Sequence, residues 1–126
     1  MNVVAASAAL RQSDTIRAKP LVVVRAGDVS EVGTYWAGGK TDFKYYWDSR
    51  QRALARISTN SIFVVAKNSG HGIPQDAPRL SNEAMRLVVN AARTHKKLPA
   101  CGKTKLPKLG GNCNSPPVRK SAEPAA

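Results

Sequence analysis

Two short stretches of this 126-residue chain are built almost wholly from aliphatic and β-branched residues: Pro20-Leu21-Val22-Val23-Val24 and Ile62-Phe63-Val64-Val65-Ala66. Neither alternates apolar with polar. Successive side chains of a strand point to opposite faces, so a strand with one wet face must alternate. A uniform apolar run of this length suits a strand covered on both faces, as in a parallel sheet. Both runs exit into small and polar residues, Ala26-Gly27-Asp28 and Asn68-Ser69-Gly70-His71. Parallel neighbours cannot be joined by a tight turn and need a crossover of a dozen or more residues. The intervening sequence supplies one. Phe43, Trp47, Leu54 and Ile57 share a face between about Asp42 and Ser58, Arg50 and Arg56 flank it, and Thr41 or Asp42 is placed to cap it. The order strand, helix, strand predicts an α/β fold in which both strands end at one edge of the sheet.

A second helix follows. Asp76 is placed as its N-cap and Pro78 in its first turn, and Leu80, Ala84, Leu87, Val88 and Ala91 form an apolar stripe running to about Arg93. Asn60 sits where the crossover helix turns at its end. The 42% apolar content suffices for a core, and no apolar run is long enough to span a membrane. The N-terminal segment, residues 1–17, has weak helical character, and no Lys or Arg precedes Val3-Val4-Ala5-Ala6, so a secretory leader is not expected.

Charge is unevenly spread. Residues 1–95 hold 13 Lys and Arg against 7 acids, a net +6; residues 96–126 hold 7 against Glu123 alone, also +6. The density of Pro, Gly and Lys from residue 98 onward predicts a disordered basic tail over 98–126. Such a tail can touch nucleic acid or acidic surfaces weakly, although a solvated tail without a partner is the simpler expectation. Cys101 and Cys113 both lie in it. They close the Gly-rich loop as a disulfide in an oxidising compartment, or stay as two thiols in the cytoplasm, the compartment favoured here although composition does not fix it. With His95 they make three ligands at most, short of a zinc site.

In parallel sheets chemistry gathers at the carboxyl ends of the strands. Those ends carry Asp28 and Glu31 after the first strand and His71 after the second. A carboxylate beside an imidazole fixes its tautomer and lets it move a proton to and from a nucleophile. The bland alternative is that Asp28 is a turn residue and His71 merely exposed. The segment Ser69-Gly70-His71-Gly72-Ile73-Pro74-Gln75-Asp76-Ala77-Pro78, behind an apolar strand and ahead of an amphipathic helix, resembles the end of an α/β-hydrolase. Pro20 to Val24 resembles the preceding strand, and the region of Trp47, Gln51, Leu54 and Ser58-Thr59-Asn60-Ser61 resembles the helix and turn between them. The resemblance spans residues 18–97, the last part of that domain, and implies a parallel sheet, ester or related acyl hydrolysis, and no cofactor. It further implies that His71 is the general base of a Ser–acid–His triad and Asp28 its acid, with Glu31 or a carboxylate outside this chain as the other choices.

The nucleophile is the missing part. The family orders its triad serine, acid, histidine, with the serine in a G-x-S-x-G elbow. The sequence contains no such elbow, and Ser30 and Ser69 do not stand in one. The expectation is a fragment of a hydrolase, from a truncated or split gene or a reading frame opened at an internal Met, inactive alone and acting on a small ester only when completed by a nucleophile-bearing subunit. A rival reading rests on aromatics. Six of the seven fall between Tyr35 and Trp47, interleaved with Lys40 and Lys44, a pattern that can stack bases and meet phosphates. No dinucleotide fingerprint or phosphate loop is present; Gly38-Gly39-Lys40-Thr41 lacks the spaced first glycine.

Overall fold

The computed structural model describes residues 16–29 and 39–120. Strand β1 (Leu21–Ala26) leads through helix α1 (Gly39–Ala55) to β2 (Ser61–Ala66). A four-residue helix α2 (Ile73–Asp76) and the long helix α3 (Pro78–Thr94) follow. Two 3-10 turns, Cys101–Lys103 and Pro107–Leu109, then precede a short strand β3 (Gly111–Asn112). The expected N-terminal helix and Glu31 lie outside the described residues.

β1 and β2 pair in parallel, in register from Leu21 beside Ser61 to Ala26 beside Ala66. Paired residues of parallel strands share a face, so the register divides the sheet cleanly. Val22, Val24 and Ala26 align with Ile62, Val64 and Ala66; on that face Leu80 and Leu87 of α3 complete a core with Leu106. Val23 and Arg25 align with Phe63 and Val65 on the face that meets α1. Helices on both sides account for the absence of alternation in the two runs. The apolar stripe of α3 is buried at Leu80, Ala84, Leu87 and Ala91, with Glu83 beside it held by Arg86, whose hydrogen bond keeps the Glu83 carboxyl below its usual range.

Two helix boundaries differ from expectation. Helix α1 starts and ends three residues earlier; its end falls where Arg56 and Ile57 donate to Ala53 and Leu54, an i to i−3 tightening that ends the α-helix. Asp76 does not cap α3; Ala77 occupies that position, and the Asp76 carboxylate turns back to accept the Gly70 N–H at 2.8 Å.

The segment from residue 98 corrects the expectation of a disordered tail: residues 98–118 are packed. The Leu98 N–H donates to Asn60 Oδ1 at 2.8 Å, Leu106 is fully buried in the core, and β3 adds antiparallel to β2, Val65 facing Asn112 and Ala66 facing Gly111. The sheet is therefore mixed and ordered β1-β2-β3. Gly111 is required here, since a Cβ would lie 2.8 Å from both the Leu106 carbonyl oxygen and Val64 Cγ2. The two cysteines, left open by the sequence, form a Cys101–Cys113 disulfide across 12 residues, with both packed against the core.

A buried ion cluster joins this strap to the opposite face. Asp48 of α1, 1% exposed, faces Arg25 of β1 at 3.2 Å and accepts from Arg52 Nε at 2.8 Å. Its Oδ2 also accepts the Val118 N–H at 3.0 Å, while Arg52 donates to the Ser115 carbonyl at 2.7 Å. The Arg25 contact is an ion pair without hydrogen-bond alignment. Burial pushes the Arg25 guanidinium below its ordinary range; Asp48 opposes that shift and Arg52 adds to it.

Asp48→Ala leaves two arginines facing each other around a lost anion, and is expected to destabilise the protein by about 3–5 kcal/mol in denaturant unfolding. Replacing Cys101 and Cys113 by serine restores loop entropy to the unfolded chain, an expected loss of about 3 kcal/mol by the same measurement.

Candidate functional site

The two strand exits are tied together by backbone. Gly27 donates to the Ala66 carbonyl and Asp28 to the Ser69 carbonyl, each at 2.9 Å, so the ladder continues one step past the strands. Only glycine allows the first of these approaches: a Cβ on Gly27 would stand 2.5 Å from the Ala66 oxygen and 2.6 Å from that of Lys67. The loop after β2 is shaped by its own contacts. Ser69, 1% exposed, donates its hydroxyl to the Gly70 carbonyl, Asp76 holds the Gly70 N–H, and Ile73 N–H returns to the His71 carbonyl. Helix α2 starts on the Gly72 carbonyl, which accepts from Gln75 and Asp76, each at 3.0 Å.

These bonds present His71 at the carboxyl edge of β2, exposed to solvent. Its ring meets Trp47 edge-on at 5.7 Å, and Trp47 in turn stacks on Phe43 at 5.8 Å. The α1 face that the sequence marks as apolar thus serves as a wall for the imidazole. The Trp47 indole N–H is buried and has no acceptor among the described residues, which leaves one hydrogen-bond donor beside His71. Asp28 is exposed on the neighbouring loop, its backbone one hydrogen bond from Ser69. Among the described residues no hydrogen bond joins its carboxylate to His71, whose imidazole lies against the Trp47 ring instead.

The sequence missed two contributors. Asp76 reads as a helix cap and in fact braces the histidine loop; the only signal for it is a carboxylate six residues past a glycine. Trp47 reads as core and is half core, half site.

Two concavities flank this edge. An open apolar groove of about 490 Å³ runs between β1 and α3, lined by Val22, Val24, Ile73, Met85, Val88 and Val89. A smaller one of about 290 Å³ lies beyond the β2 exit, with Lys67, Asn68, Asp76, Arg79 and Gly110 at its rim. Among the described residues no three His, Cys, Asp or Glu side chains are grouped to hold a metal ion, and no helix is long and apolar enough to cross a membrane. The aromatic cluster is largely engaged: Tyr46 lies under Arg50, Tyr45 under Lys120, and Phe43 is buried; Tyr35 and Trp36 fall outside the described residues.

Comparison with known protein families, with curated proteins and with solved structures finds no match.

Asp76→Ala removes the bond that closes the loop around Gly70. It is expected to cost about 1–2 kcal/mol and to broaden the His71 imidazole NMR resonances as its contact with Trp47 loosens.

Proposed function

We propose that this chain supplies the histidine half of an acyl-hydrolase site of the α/β-hydrolase kind, with His71 as general base and Asp28 as its candidate acid. The observation that carries the reading is the placement of His71. It stands at the carboxyl edge of a parallel strand pair, held by a glycine-rich loop braced from Asp76 and backed by Trp47. An exposed imidazole on a fixed loop can take a proton from a serine hydroxyl and return it to a leaving alcohol. Asp28 stands on the loop bonded to that of His71, at the same edge of the sheet.

The serine must come from elsewhere, since no G-x-S-x-G elbow occurs in the 126 residues. Two features favour completion by a nucleophile-bearing part. Among the described residues β1 pairs on one side only. The apolar groove opens beside it, with Met85 58% and Val89 47% exposed. A parallel strand followed by a helix would pair with the first and cover the second, as strand edges and apolar faces of sheets generally require. The substrate class is a small ester or related acyl compound, and no cofactor is needed for that chemistry.

The test uses the tagged full chain to retrieve partners from the cells that encode it, with a fluorophosphonate probe to mark an activated serine. The chain alone is expected neither to react with the probe nor to hydrolyse p-nitrophenyl acetate. The complex is expected to do both, and His71→Ala is expected to lower its kcat/KM by about 10²–10⁴-fold without dissociating it. A complex whose turnover is unchanged by His71→Ala overturns the proposal, as does a probe-reactive serine in the chain by itself.

A further inference from the structure

Helix α3 covers β2 and leaves β1 half-covered. On the face of the sheet that meets α3, Ile62 and Val64 of β2 are buried, whereas their register partners Val22 and Val24 of β1 are half-exposed. Beside its core residues Leu80 and Leu87, α3 carries a second stripe. Ser81, Ala84, Met85, Val88 and Val89 recur at i, i+3, i+4, i+7 and i+8. The two valines and this stripe wall the groove of about 490 Å³, and Ile73 joins them from the loop of His71. The lining contains no charged side chain, and the Ser81 hydroxyl is its one polar side-chain group.

We infer that this groove binds a single unbranched alkyl or acyl chain of an amphiphile, whose head group stays in water at the groove's end. Dimensions and polarity together carry the choice of occupant. From Ser81 to Val89 the lining runs about 12 Å along α3, so the volume of about 490 Å³ corresponds to a mean cross-section of about 40 Å². A helix with its side chains is about 10–12 Å across and needs at least twice that section. It can lie over the mouth of the groove, as a completing part would, but cannot enter it. An extended peptide is slimmer, yet it brings backbone N–H and C=O groups that the Ser81 hydroxyl alone cannot satisfy. A second copy of the chain would bring one charge of +12 against another. An alkyl chain carries neither polar backbone nor charge, and the unbranched, half-exposed Met85 can adapt its rotamer to it. A concave, apolar wall of this volume with one polar group is the usual make-up of a small-molecule site. Binding here depends on neither His71 nor a serine-bearing partner.

The full oxidised chain, isotope-labelled in its methyl groups, is titrated with octyl glucoside and decyl glucoside below their micelle concentrations, and with glucose. Saturable NMR shifts are expected at Val22, Val24, Ile73, Met85 and Val88 with both glucosides, and none with glucose. The two further methylenes of the decyl chain, partly buried in an open groove, are expected to tighten binding at least about threefold. V88D places a charge in the lining and is expected to bind at least about tenfold more weakly. Circular dichroism identifies a variant that has lost its fold, and V89D, at an exposed position of the same wall, then replaces V88D. Four results each overturn the inference: equal affinity for the two chain lengths, undiminished binding by the folded variant, shifts confined to residues outside the groove, or the same methyl shifts on concentrating the chain without glucoside, which would report a second copy in the groove.

Discussion

One buried carboxylate holds this molecule together. Asp48 sits on α1 almost without solvent contact, and it is met by Arg25 from β1, Arg52 from its own helix and the Val118 N–H from the C-terminal strap. Three segments far apart in sequence therefore converge on one anion. Such a cluster contributes little net stability compared with apolar packing of the same volume, because each charge gives up its hydration. What it contributes is uniqueness. Any arrangement that separates α1 from β1, or lifts the strap, strands a charge in a low-dielectric interior. The position of α1 follows from this cluster, and with it the position of Trp47, which forms the wall behind His71.

The strap shows how a segment without secondary-structure signal becomes part of a core. Pro, Gly and Lys dominate residues 98–118; Pro and Gly interrupt helices and central strands, and Lys is depleted from central strands. Order comes from elsewhere. Leu106 places one large apolar side chain under the loop, the disulfide limits the freedom of the unfolded chain, and the backbone closes on β2 and on Asn60 and Asp48. The polar density that suggests disorder is the outer face of the same segment, where its lysines meet water.

Much of the sheet was legible because burial on both faces leaves a compositional trace: the two apolar runs fall within β1 and β2, and the stripe of Leu80, Ala84, Leu87 and Ala91 is the buried face of α3. The site was legible only as far as local order reaches. A glycine-rich exit before an amphipathic helix marks His71 as a loop residue at a strand end. It says nothing of Trp47 beside it, because Trp47 lies 24 positions earlier and reads as core. Asp76 was misassigned for a related reason. A carboxylate just ahead of a proline-opened helix is a good cap by propensity, but the Gly70 N–H offers a nearer donor once the loop has turned.

The sequence by itself determined the parallel pair, its crossover helix and the edge at which Asp28 and His71 emerge, because hydrophobic pattern and connection length are local properties of the chain. Tertiary structure alone decided that the cysteines pair, that the basic segment packs and adds a two-residue edge strand, and that His71 lies against Trp47. Each depends on residues distant in sequence meeting across a core, and no periodicity within either partner records that meeting. The buried Arg25–Asp48 pair is the clearest case: an arginine in a strand and an aspartate in a helix look like surface residues until their faces are turned inward together.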